Sequence, residues 1–351
     1  MRICIYISIF YYLNCLLAIS QDMNFYQPSS NPLLDESRVD RPVTLHKGQI
    51  EVNSSYGLTV FGNKYDGSGI KTDLQEKGLA TIKHEGGFDI RYGVFEFLEL
   101  GFQSGYISKT ERSREKYYFS YNEYMNVQSL SHEKGFSDVL FSTAVRYPVK
   151  TSNFSMAVRG GIMLPVGTKG ELAPEHTMSH FPELAYYELK MKTNEKASHG
   201  IKQYLFGGIM KIKLNKTAIT AGSSLITSNK TGIAERYIYR NNNLNFEYEK
   251  INYDYQLPDV FVSDVMVDYQ AFSWFAVFGG YHYYSSSSGW DGKTGIRIAE
   301  PTKMLHEVSL GCEIQATSNV RIFETINYSL GGRNTLAPFS IYSGISMVLF
   351  P

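Results

Sequence analysis

The chain has 351 residues, with 34 basic and 34 acidic side chains, so no net charge steers it toward nucleic acid or an anionic surface. Only 19% of residues are charged, while aromatics reach 14%, with 27 Tyr, 21 Phe and 30 Gly. Such a mixture suits a sheet protein with one apolar face.

The beginning reads as an export signal. Arg2 precedes an apolar stretch from Ile3 to Ile19, interrupted by Tyr11, Tyr12 and Asn14. Ala18-Ile19-Ser20 puts small residues where a signal peptidase cuts, and polar Gln21-Asp22 follows. Residues 1–20 are therefore expected to be a signal peptide. An uncleaved anchor helix and a lipoprotein modified at Cys15 are the alternatives. Cys4 and Cys15 fall in this segment, which leaves Cys312 alone in the mature chain and excludes an internal disulfide. After residue 20 nothing resembles the run of about 20 apolar residues that a membrane helix needs. Residues 21–47, with Pro28, Pro32 and Pro42, read as a short periplasmic lead able to tuck into a barrel mouth.

From residue 48 the period becomes two. In Gln49–Phe61, Ile50, Val52, Tyr56, Leu58 and Val60 alternate with Glu51, Asn53, Ser55, Gly57 and Thr59. Successive side chains of a strand point to opposite faces, so this stretch has an apolar and a polar face. The pattern recurs over Ala80–Val94, Leu98–Ile107, Phe136–Tyr147, Phe154–Leu164, Ile201–Leu214 and Thr217–Thr227. It continues over Asp259–Tyr269, Trp274–Tyr284, Met304–Ala316 and Val320–Leu330, and ends in Phe339–Phe350, whose facing is ambiguous. That makes twelve strands, with Tyr186–Met191 as a possible addition.

The connections alternate in length. Long ones lie at 62–79, 108–135, 165–200, 228–258 and 285–303, with a shorter one at 331–338. Tight ones lie near Phe95–Phe97, Pro148–Asn153, Asn215–Lys216, Gln270–Ser273 and Thr317–Asn319. An even strand number with short and long connections in turn predicts an all-β fold, a transmembrane antiparallel β-barrel with short periplasmic turns and long extracellular loops. Only a closed sheet crosses hydrocarbon without leaving backbone N–H and C=O groups unbonded. A soluble β-sandwich is the alternative.

Two resemblances support the barrel. The ending Val348-Leu349-Phe350, followed by Pro351, resembles the aromatic C-terminal strand that the barrel assembly machinery of outer membranes recognises. Phe88–Phe102, with its Arg-Tyr-Gly and Leu-Glu-Leu-Gly pieces, resembles a hairpin of the outer-membrane family named for the meta-pathway of phenol degradation. Gly135–Val139, Arg146-Tyr147 and Gly161–Gly167 are similar to the next strands of that family, so the likeness covers about residues 80–170. Asn31-Pro32 faintly resembles the N-terminal plug of channels for hydrophobic compounds. The resemblance implies a transporter or channel, in contact with outer-membrane lipid and lipopolysaccharide, that passes small hydrophobic or aromatic molecules. It implies no catalytic residues.

If the polar parity faces inward, the lumen-lining charges are Glu51, Asp89, Arg91, Glu99, Asp138, Arg146, Arg159, Lys211, Lys213, Asp264, Asp268, Glu307, Glu313 and Arg321. They can pair and fill the interior, or line a narrow passage of weak selectivity. Asp264 and Asp268 share a face and could hold a cation or accept hydrogen bonds from lumen arginines. Glu324 breaks the pattern by falling on the apolar parity, at a rim or a bulge. Tyr106, Tyr147, Trp274, Tyr281, Tyr283 and Tyr284 sit near strand ends, where interfacial aromatic girdles belong. The Tyr-rich stretches 111–130 and 228–258 either bind a partner, giving a non-transporting surface barrel, or extend the hairpins. No cofactor, metal or nucleic-acid signature stands out, and the histidines lack metal-ligand spacing. An outer-membrane hydrolase is a third possibility, but the sequence cannot bring a Ser-His pair together.

Overall fold

A computed structural model describes residues 44–74, 81–120, 123–147, 153–167, 172–178, 186–193, 201–228, 232–242, 245–256, 258–287, 290–291 and 302–349. The expected signal peptide and most of the expected lead lie outside the described residues, as does Phe350 of the C-terminal signal. No helix occurs among the described residues.

Twelve strands run antiparallel in sequence order: β1 (Ile50–Tyr65), β2 (Thr81–Phe95), β3 (Leu98–Ser120), β4 (Val139–Tyr147), β5 (Phe154–Leu164) and β6 (Gln203–Leu214), then β7 (Thr217–Ser228), β8 (Val260–Phe272), β9 (Phe275–Ser286), β10 (Lys303–Gln315), β11 (Val320–Arg333) and β12 (Thr335–Leu349). Each pairs with the next, and β12 returns to β1 from Ile50↔Leu349 to Tyr65↔Thr335. The ring is closed, so no edge strand carries unbonded backbone groups. All twelve expected strands are barrel strands.

Local chemistry sets the turns. Asn215, at φ 57°, makes the tight bend from β6 to β7, a left-handed conformation that Asn tolerates better than most residues. Asn334, at φ 51°, alone separates β11 from β12, so the expected loop at 331–338 is instead a tight turn between two long strands. The end of the ring opposite Asn215 carries the long connections, and the Asn334 turn lies among them, with Asn334 N donating to Asp66 O and Nδ2 to Thr302 O. There β3 continues past the barrel and pairs with Glu123–Phe136 in one long hairpin. A second sheet is built from Leu172–Met178, Tyr186–Thr193, Gly232–Asn242, Asn245–Gln256 and Trp290–Asp291. Tyr186–Thr193 is thus a strand, but not of the barrel. The Tyr-rich stretches are extended hairpins, as one of the two expectations had it.

The faces are inverted relative to a soluble protein. Every strand presents a large apolar residue outward: Ile50, Phe88, Leu100, Phe141, Ile162 and Phe206 on β1 to β6, then Ile219, Val265, Tyr281, Leu310, Ile326 and Ile345 on β7 to β12. A soluble monomer exposes apolar patches of about 300–600 Å² at most, whereas this belt circles the whole ring. The alternate positions are buried and polar, among them Glu51, Thr59, Arg91, Glu99, Ser155, Lys211 and Ser309. The closing strand resolves in the same way, with Phe339, Ile345, Met347 and Leu349 outward and Ser340, Ser346 and Val348 inward.

Candidate functional site

The interior wall gathers the charged positions of the polar parity. Glu51, Arg91, Glu99, Asp138, Lys211, Lys213, Asp268, Glu313 and Arg321 are buried, while Asp89, Arg146, Arg159, Asp264 and Glu307 are partly exposed. Small residues stand beside several of them and make room. Arg146 pairs in register with Ala157, Arg159 with Ala144 and Gly207, Lys213 with Ala218, and Glu313 with Ala276. Lys213 and Asp268 flank Ala218 from either side on the interior face.

Two ion networks form along the wall. In the first, Arg321 Nη2 donates to Glu51 Oε1 at 2.8 Å and to Ser346 Oγ at 3.2 Å, and Arg321 Nη1 lies 3.6 Å from Glu313 Oε1. Ser346 Oγ also donates to Glu51 Oε1 at 2.9 Å. In the second, Arg91 Nε donates to Asp89 Oδ2 at 2.7 Å, and Nη1 lies 3.8 Å from Glu99 Oε1. Asn53 Nδ2 donates to the same Asp89 oxygen at 2.9 Å. The two networks share a cavity of about 70 Å³ lined by Glu51, Asn53, Asp89, Arg91, Glu313 and Arg321.

The partners in these networks sit on the same strand or within two strands of each other. A ring of twelve strands spaced about 4.8 Å apart and tilted about 40° is about 24 Å across between backbones. The charges therefore neutralise one another around the wall and do not bridge the ring.

The short-turn end holds the described part of the lead. Leu45 and Thr44 are buried there. Leu45 N donates to Glu99 Oε2 at 3.0 Å, and Thr44 Oγ1 donates to Glu96 O at 2.7 Å. Gly48 N and Gly93 N donate to Gly93 O and Gln49 O, at 2.8 and 3.0 Å. A Cβ on Gly93 would lie 2.1 Å from His46 O, so this docking requires glycine. At the long-loop end, Asp138 Oδ1 accepts from Gly167 N at 3.2 Å.

Several interior residues escape the sequence reading. Tyr342, on the ambiguous last strand, donates its hydroxyl to Glu85 Oε1, and Lys83 Nζ lies 2.5 Å from Glu85 Oε2. Lys83 and Glu85 continue the parity of Asp89 and Arg91, which was the available signal. Asp264 Oδ1 accepts from His282 Nδ1 at 2.6 Å, a partner from the neighbouring strand that spacing along β8 does not reveal. Tyr284 shares the inward face of His282 on β9, so it does not join the outward aromatics Tyr106, Trp274 and Tyr281. Trp274 stacks on Phe272 at 5.7 Å beside a short turn. Glu324 is exposed on the outward face between Ile322 and Ile326, where both flanking ladders run in regular register; the one bulge between β10 and β11 lies further along, at His306/Glu307.

A closed ring with an apolar outer belt and a polar, ion-paired interior defines a transmembrane β-barrel. Among solved structures, an outer-membrane channel from Pseudomonas putida F1 is similar at a TM-score of 0.58 and 10% identity, over 90% of this chain and 100% of that one. The translocator domain of the autotransporter NalP from Neisseria meningitidis gives 0.44 and 8% identity, covering 86% of this chain and 89% of that one. A Pseudomonas aeruginosa FadL homologue gives 0.38 and 9% identity, over 86% and 89% of the two chains. No family model matches the chain, and no curated protein matches it.

Proposed function

We propose that the protein is an outer-membrane channel that lets small molecules pass without an energy source. The supporting observation is the wall itself: buried charges of both signs are neutralised by neighbours around the ring. Barrels of eight strands fill with side chains and those of sixteen leave a wide aqueous pore, so twelve strands suit a narrow passage. A wall of mixed charge would discriminate weakly between cations and anions. The similarity in fold to a channel of Pseudomonas putida F1 agrees with this reading. The likeness of residues 80–170 to the phenol-degradation family extends it to small hydrophobic or aromatic solutes. In this orientation the short turns and Leu45 face the periplasm, the long hairpins face outside, and lipopolysaccharide meets the upper outward belt.

Single-channel recording in planar bilayers, together with uptake into proteoliposomes, tests the proposal. Discrete conductance steps and uptake of at least one small solute are expected. A folded barrel that neither conducts nor takes up any member of a broad solute panel would refute it. The second sheet, built wholly from the long connections, favours an accessory surface-binding role for that end. Deletion of residues 232–256 that leaves conductance intact but abolishes cell-surface binding would separate the two roles.

A further inference from the structure

Three neighbouring strands assemble a constellation that channel function does not require. His282 Nδ1 lies 2.6 Å from Asp264 Oδ1, and His282 Nε2 lies 2.9 Å from Ser309 Oγ. A carboxylate only accepts, so the proton sits on Nδ1, and Nε2 of the neutral ring accepts from the serine hydroxyl. This is the order of contacts in a Ser-His-Asp triad, which is recognised by geometry and not by sequence position. We propose that Asp264, His282 and Ser309 form a hydrolytic site on the interior wall that cleaves small carboxylic esters.

The local fold is built to permit the contact. Asp264 and His282 are register partners on β8 and β9, whereas Ser309 on β10 faces Gly280, two residues before the histidine. A Cβ on Gly280 would lie 2.6 Å from Ser309 Oγ and 3.3 Å from His282 Nε2. Only glycine there lets the serine lean across to the imidazole. Glu307, opposite His282 in register, adds a second carboxylate facing the imidazolium that forms. The Asp264 and His282 side chains are 34% and 28% exposed, so the site opens to the interior. Ser309 is set deeper, at 7%, which restricts the substrate to a slender acyl group.

On the other side of Ser309, its register partner Asn327 brings a side-chain amide to the same interior face. That amide is underused. Nδ2 carries two N–H groups, of which one reaches Ser340 Oγ, at 3.5 Å, and the other is left for a bound substrate. It is the candidate oxyanion donor, in a wall whose backbone N–H groups are taken up by the ladder. Val262, Tyr284 and Leu305 form the next inward row toward the long loops, an apolar seat for the acyl group.

The reaction balances with water as the only co-reactant. Ser309 Oγ attacks the ester carbonyl, and its proton passes to His282 Nε2. The tetrahedral intermediate collapses, the C–O bond to the alcohol breaks, and His282 returns the proton to the departing alkoxide. Water then attacks the acyl-serine with His282 as base, releasing the carboxylic acid and restoring the hydroxyl.

The full-length folded protein in detergent should release p-nitrophenol from p-nitrophenyl butyrate with saturation kinetics, and a fluorophosphonate probe should label Ser309. Ser309→Ala and His282→Gln should each lower kcat by at least about a hundredfold. Asn327→Ala should lower kcat by about a hundredfold with little change in KM. Heat-modifiable gel mobility reports whether each variant folds. Mass spectrometry of the labelled wild-type protein gives a result that needs no variant to fold. No release above the Ser309→Ala background, or a probe adduct that is absent or on another residue, would overturn the assignment.

Discussion

Replacing Arg321 with methionine removes the cation that Glu51 and Glu313 share. Both carboxylates are 3% exposed, and they lie 2.8 and 3.6 Å from the guanidinium. At an effective dielectric constant of about 20, each contact amounts to about 5–6 kcal/mol of gross attraction. Some of that returns when the stranded carboxylates take up water or a proton, so the net cost expected for breaking a buried pair is about 3–5 kcal/mol. Urea unfolding of the barrel in liposomes, followed by gel mobility, would read this as at least about a hundredfold loss in the folded-to-unfolded ratio. The triple variant Glu51→Gln, Glu313→Gln and Arg321→Met should recover most of the loss, because no buried charge is left unmatched. An unchanged midpoint in the single variant, or a triple variant no better than the single, would refute the reasoning.

Leu310→Arg puts a charge on the most exposed part of the outer belt and should destabilise the barrel by about 2–4 kcal/mol in a bilayer, read by the same unfolding assay. Wild-type stability in that variant would mean that Leu310 does not meet lipid. Gly93→Ala drives a methyl group into the carbonyl of His46 and should cost about 1–3 kcal/mol. It should also speed tryptic cleavage after exposed Lys47; unaltered cleavage would count against docking of the lead. Glu324→Leu removes a carboxylate from the apolar face and should stabilise the folded barrel in lipid by about 1 kcal/mol. Destabilisation would place Glu324 in polar surroundings.

A period of two is local information, and it carried most of the fold. Ile50 to Val60 against Glu51 to Thr59 already gives two faces, and the alternation of short and long connections gives the order of the strands. The apolar belt and the inward charges follow because a strand has only two sides. Where alternation is blurred, the sequence was silent. Tyr342 sits in a strand rich in Ser and Gly, and nothing local tells which side it takes. The turn at Asn334 was hidden because its flanking strands run on through Gly331, Gly332 and Pro338.

Parity assigns a residue to the interior but not to a partner. Arg321 meets Glu51 only because β12 closes onto β1, across 270 residues of chain. Asp264, His282 and Ser309 come together through the register of three strands and a missing side chain at Gly280. Side-chain facing is written along each strand, because backbone geometry alone imposes it. Pairing across strands depends on register and ring closure, which are long-range properties that only the assembled barrel decides.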